Sequence, residues 1–244
     1  MLATFLKGAK GAPAGIQYVG GYVQGFAGTA GNITITLTSL TGGLASSPST
    51  DDLVIVYFGA GSVADINLIV SGYTEIVELY SNDTFDTNLV VAQKFMGATP
   101  DTSFTLTPAS GNTSPTGTLD NAGAVAVQVW RGVDSVTPFD VTQTTDSEQA
   151  TVLCDPPPIT PITSGAIIVS GGAGAHIRGS LGTYSSSDLT AFLSAAGNDV
   201  NDATIGLGYH VWTSGSFDPA AFTFSGSDST SFSWAAVTLA LRPA

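Results

Sequence analysis

His176, in "SGGAGAH", and His210, in "GYHVW", are the only two imidazoles in this chain of 244 residues. Histidine-based acid–base or nucleophilic chemistry would have to run through one of them. No serine stands in a G-x-S-x-G elbow that would pair with either. In stretches that match each other along the chain, their places are taken by Val63 and Gln93, so both are read as variable structural positions. Cys154 is the single cysteine and precedes a triple proline. With no second thiol it forms neither an internal disulfide nor a metal or redox pair, and a small buried side chain is expected. Two acidic clusters remain, Asp83 with Asp86 and Asp199 with Asp202. Loop carboxylates of this kind serve calcium, and they equally cap turns; neither spacing matches an EF-hand loop. A glycosidase pair needs only two close carboxylates, but nothing in the sequence selects a pair from 19 acids. The glycine-rich "GAGSV" and "SGGAGAH" lack both G-x-G-x-x-G and a Gly-Lys-Ser/Thr phosphate grip, and are read as β-turns. Among the aromatics, Tyr73 in "SGYTE" and Tyr184 in "LGTYSS" fall at loop positions and are the candidates for a ligand-contacting loop. The expectation is a protein that is not an enzyme, with no catalytic residues, no metal and no cofactor.

The elements that would carry these residues read as strands. "ITITLTSL" alternates apolar residues with Thr, the period of a half-buried strand. "DDLVIVYFGAGS", "NLVVAQKFMG", "SFTLTP" and "AGAVAVQVWRG" follow, each bounded by Asn, Gly, Pro or Asp. The closing "SFSWAAVTLALRPA" is apolar from Trp234 to Leu241 apart from one Thr, which predicts a strand covered on both faces. Three stretches recur in one order: "SGAIIVSGGAGAH" after "DDLVIVYFGAGSV" at an offset of 113, "TIGLGYHVWT" after "TNLVVAQKFM" at 117, and "SWAAVTLALRP" after "GAVAVQVWRGV" at 111. Two pseudo-repeated halves are therefore predicted, residues 32–153 and 164–244, joined by a stiff Pro-rich connector at 154–163. Neither half can cover both its faces alone, so the fold class is all-β, a jelly-roll-like β-sandwich. "YSSSDLTAFLSAAGND" permits either a short helix or a strand over 185–197.

Composition sets the remaining bounds. Charged residues make up 10% of the chain and hydrophobic residues 43%, which suits short strands and many turns rather than amphipathic helices or disorder. The net charge is −13, with no Asp or Glu in residues 1–50 and all 19 acids beyond them. Such a body disfavours nucleic acid and anionic membrane as partners. No apolar run reaches the roughly 20 residues of a membrane helix, and the opening residues are too short in apolar core for a secretory signal; synthesis in a cytoplasm is expected. Residues 1–31 hold eight glycines interleaved with Tyr18, Tyr22 and Phe26, and carry Lys7 and Lys10. This segment is read as an N-terminal arm that docks on the body or on a neighbouring molecule.

Taken in order, "DLVIVYF", "SGYTE", "NLVVAQKF", "FTLT", "AVAVQVWRGVDSVTPFD" and "WAAVTLALRP" resemble a β-sandwich module common in tailed-phage virion proteins and in some bacterial surface proteins. The resemblance spans roughly residues 50–244. Asp51-Asp52 departs from the Gly-Asp usual in that module, and the arm is an addition to it. What the resemblance implies is a structural virion part, such as a capsid decoration protein, head spike or fibre, or tail component. Its expected partners are other virion proteins, the major capsid or tail protein, and further copies of itself. A carbohydrate-binding or host-adhesion module on a tail or cell surface, with a glycan as ligand, is the alternative.

Overall fold

The computed structural model describes residues 15–27, 31–62, 64–83, 85–109, 122–151, 153–177, 179, 181–199, 201–227 and 232–244. They form strands and no helix: β1 (Gln17–Phe26), β2 (Ile33–Thr36), β3 (Leu53–Ser62), β4 (Asn67–Val70), β5 (Thr74–Ser81), β6 (Asp86–Phe95), β7 (Ser103–Ala109) and β8 (Gly123–Arg131) in the first part of the chain. The second part supplies β9 (Thr144–Thr151), β10 (Ile167–Ile177), β11 (Tyr184–Ser185), β12 (Thr190–Gly197), β13 (Asn201–Val211), β14 (Thr223–Phe224) and β15 (Phe232–Leu241).

Two five-stranded antiparallel sheets make the centre. Their orders are β1-β8-β3-β6-β5 and β9-β15-β10-β13-β12. Written this way the two orders coincide strand for strand, and each sheet draws on one part of the chain. The sheets pack face to face with β1 over β12, β8 over β13, β3 over β10, β6 over β15 and β5 over β9. A half-turn about an axis through the β3–β10 contact therefore exchanges one sheet for the other.

Alternation along β3 shows how the layers are built. Leu53, Ile55 and Tyr57 point inward and meet Val169, Leu207 and Val237 of the opposing sheet. Val54, Val56 and Phe58 point outward, where Ile35, Leu68 and Leu106 of a three-stranded sheet, β2-β7-β4, cover them. On the far side, Phe232, Trp234 and Ala236 of β15 are covered by Cys154, Tyr184 and Phe222. The four layers explain why antiparallel strands read as unbroken apolar runs: β3, β10 and β15 are walled in on both faces, a situation commoner in parallel sheets. β15 lies between β10 and β9, so the chain ends inside its core.

Several sequence expectations change. Residues 17–26 are not a separate arm but the edge strand of the first sheet, paired with β8 from Gln17↔Arg131 to Phe26↔Gly123. Their glycines are there for close approach: a Cβ on Gly25 would run into the Ala196 carbonyl of β12, and one on Gly21 into the Leu193 side chain of β12. "GAGS" and "SGGAGAH" belong to β3 and β10 instead of turning; a Cβ on Gly59 would strike Ala173, and one on Gly172 would meet Cys154. Residues 190–197 are strand, with a bulge between Thr190 and Leu193. β9, placed by the sequence reading in the first half, is the edge of the second sheet. The Pro-rich segment stays out of the central sheets, touching residues 217–222 through bridges at Cys154↔Phe222 and Ile159↔Phe217. Finally, Leu53 and Ile167 hold corresponding places in their ladders, as do Asp86 and Asp202, so these offsets are 114 and 116 rather than 113 and 117.

Candidate functional site: the end that carries the termini

The starts of β1, β3 and β10 and the ends of β6, β8, β13 and β15 lie at one end of the sandwich, because the ladders begin at Gln17↔Arg131, Leu53↔Phe95, Ile167↔Val211 and Ile167↔Leu241. Two Asp–Arg pairs close this end. Arg131, the last residue of β8, grips fully buried Asp52 with two parallel bonds, Nε to Oδ1 at 2.8 Å and Nη2 to Oδ2 at 2.9 Å. The Asp52 bond raises the guanidinium's already high pKa, and Oδ2 also accepts the Ser49 N–H at 2.8 Å. Arg242, just past β15, brings Nε to 3.7 Å from Oδ1 of Asp140. The other oxygen of Asp140 accepts the N–H groups of Ile162 at 2.6 Å and Thr163 at 2.9 Å. Burial pushes the Asp140 carboxyl up, but these bonds and Arg242 outweigh it and hold the group below the usual carboxylate range.

The segment between the two pairs is fastened to the chain's end. Asp134 donates its N–H to the Arg242 carbonyl at 2.9 Å, Arg242 donates to the Pro138 carbonyl at 2.9 Å, and Ala244 donates to the Gly132 carbonyl at 3.0 Å. The Asp134 carboxylate turns the chain by accepting from Val136 and Thr137, bonds that keep it below its ordinary pKa. Beside them a cleft of about 450 Å³ is lined by Thr50, Asp51, Asp52, Arg131, Ser135 and Ala244. Four large apolar side chains stand out to solvent here: Val136 is 88% exposed, Ile162 70%, Leu44 61% and Val211 57%. Isolated exposed apolar residues need no explanation, but four at one end of the sandwich suit a contact face.

The opposite end is different. The hairpins β5–β6 and β12–β13 turn there through the two acidic clusters, which adopt one geometry. Asp83 donates its N–H to Asp86 Oδ1 at 2.8 Å, and Asp199 donates to Asp202 Oδ1 at 3.1 Å. Tyr80 Oη adds a bond to Asp86 at 2.7 Å, and the Gly179 N–H one to Asp202 at 3.0 Å. These are side-chain caps of turns. Among the described residues no three His, Cys, Asp or Glu are placed to share a metal ion.

The other candidates from sequence are scattered. Tyr184 is 3% exposed inside the outer layer of the second sheet, and burial carries its phenol well above the ordinary value. Tyr73 packs on Phe104 with ring centroids 4.9 Å apart, on the outer side of the first sheet, and burial raises its phenol too. The two tyrosines thus lie on opposite outer layers with two sheets between them, and neither presents a loop platform. His176 is buried and stacked on Phe224 at 4.0 Å; His210 stacks on Phe217 at 3.9 Å. The Cys154 thiol is buried and pushed well above its ordinary pKa, first by burial and then by nearby Asp155. Of the arm residues, Tyr18, Tyr22 and Phe26 belong to β1, whereas Lys7 and Lys10 lie outside the described residues. Sequence reasoning missed the Asp–Arg pairs. Their signal was present, since Arg131 and Arg242 each end an apolar strand and would need a partner if drawn inward.

No protein-family model, no curated protein and no solved structure matches this chain.

Proposed function

We propose that the chain is a structural protein of a tailed-phage particle, a decoration, spike or fibre on its surface, held by the end at which β1 begins and β15 closes. The observation that supports this is the polarity of the molecule. One end gathers the start of β1, the fastened segment after β15, two Asp–Arg pairs and four exposed apolar side chains. The other end presents the acidic hairpin turns, with Ile177 43% and Leu181 51% exposed beside them. Asp52, Arg131, Asp140 and Arg242 all stand in the stretches that resemble the virion module, so the motif residues coincide with the braces of the attachment end. The partners are then a major capsid or tail protein and further copies of this chain. The glycan-binding alternative loses the support of Tyr73 and Tyr184, which pack inside the protein.

The test is incorporation. Particles assembled with the full chain are compared by electron cryo-microscopy and stoichiometry with particles assembled with residues 15–244. Many surface copies of the full chain, touching the particle through the end bearing Val136 and Ile162, is the expected result, with incorporation lost or weakened on truncation. Absence of the full chain from any particle, or attachment through the acidic hairpins, overturns the proposal.

A further inference from the structure

Between the two central sheets the buried polar side chains near the hairpin end are bonded, as Thr87 is to Ser233, but those along one row of the first sheet are not. Gln128 of β8 pairs across to Gly21 of β1 on one side and to Ile55 of β3 on the other, and Ile55 in turn pairs with Gln93 of β6. Ile55 points into the inter-sheet core, and directly paired residues share a face, so both glutamines point there too. Gly21 supplies no side chain; its inward space is taken by the Tyr18 hydroxyl. Trp130, two residues beyond Gln128 on the same face, completes the set. Gln128 is fully buried, yet neither its Oε1 nor its Nε2 has a protein partner, and the same holds for Tyr18 Oη, Gln93 Oε1 and Trp130 Nε1.

The second sheet provides an internal comparison. Its corresponding row holds Leu239, Val169 and Tyr209 where the first holds Gln128, Ile55 and Gln93. An apolar residue therefore fits the place of Gln128 in this architecture. An amide left there with no partner would cost its full desolvation. The unmatched groups are complementary: two carbonyl oxygens that accept, an amide and an indole N–H that donate, and a hydroxyl that does both.

We propose that this row is an internal hydration site, in which ordered water bridges Gln128, Gln93, Trp130 and the Tyr18 hydroxyl between the sheets. Such a site needs two to four polar partners per water, which the row supplies. On the outer side, Tyr18 and Tyr209, whose rings pack on Trp130, also line a surface groove of about 420 Å³ with Gln17 and Leu44.

Water–protein cross-relaxation in the folded, isotope-labelled full chain tests this. The Trp130 indole N–H and the Gln128 side-chain amide are expected to show NOEs to water with the sign of long-lived, bound molecules. In Gln128→Leu combined with Gln93→Leu the Trp130 signal to bound water is lost, while the rest of the amide spectrum stays close to wild type. Absence of these NOEs in the wild-type protein overturns the proposal, as does their persistence in a folded double variant. A high-resolution crystal structure of the wild-type chain gives a readout independent of the variants. Ordered water within hydrogen-bond distance of Gln128 supports the site, and direct bonds from the Gln128 amide to protein groups, or an occupant other than water, refute it.

Discussion

Asp51 has a φ of 66°, the left-handed region that costs most side chains, though Asp tolerates it better than most. It sits in the turn that delivers Asp52 to Arg131, with its N–H bonded to the Met96 carbonyl at 2.9 Å. Glycine takes this backbone conformation without a Cβ penalty. Asp51→Gly is expected to stabilise by about 0.5–1 kcal/mol, and Asp51→Val to destabilise, read as opposite shifts of the denaturation midpoint. Gly25 illustrates the converse. Ala at that position would force β1 away from the Ala196 carbonyl, so Gly25→Ala should cost about 3 kcal/mol and Gly25→Ser no less. Acid should act through Asp140. Its pKa is lower folded than unfolded, so it contributes stability above the ordinary carboxylate range that is lost as pH falls below about 4. Asp155 and Glu78 are raised, mainly by burial, and act in the opposite sense. Asp140→Asn should therefore be less stable than wild type at neutral pH, with the gap narrowing in acid, as urea titrations at several pH values would show.

At the scale of elements, the strand from Gln17 to Phe26 decides what can be removed. Every described strand lies within residues 15–244, and β1 closes over β12 through Val23, Gly21 and Gly25. Removing residues 1–26 would bare the β8 edge and the inward face of β12, and should give a protein that aggregates or unfolds many degrees lower. Much of this level was legible in the sequence. Runs such as "LVIVYF" and "WAAVTLAL" announced strands buried on both faces, and their recurrence foreshadowed two sheets of one strand order. The misjudged pieces share one cause: glycine's value depends on what lies opposite it. In "GYVQGF" and "SGGAGAH" glycine weakens an isolated strand, yet here it lets a second backbone or ring come close, and only the assembled layers reveal that. Tyr184 was misplaced for a related reason, since a two-residue strand and Phe222 cover a position that local sequence marks as a loop.

For the whole molecule, the near two-fold arrangement implies that stability is shared rather than divided. Each five-stranded sheet owns one outer cover, but its inner face is closed only by the other sheet: Leu53, Ile55 and Tyr57 on one side, Val169, Leu207 and Val237 on the other. Bonds cross the interface as well, from Tyr57 Oη to the Val237 carbonyl at 3.1 Å and from Thr87 Oγ1 to the Ser233 carbonyl at 2.7 Å. The chain passes between the sheets once, through residues 132–143, and the C-terminus is bonded back to that crossing. A half produced alone would present a face of large apolar residues far beyond what a soluble monomer tolerates. Residues 1–143 and 144–244 expressed separately should therefore be insoluble or pair with themselves, whereas co-expression should restore a soluble one-to-one complex. The full chain should melt in one transition, with calorimetric and van't Hoff enthalpies equal. Two resolved transitions, or a half that stays monomeric with sharp side-chain signals, would mean that each sheet with its outer cover is stable alone. The interface would then be a docking surface between two domains, not a shared core.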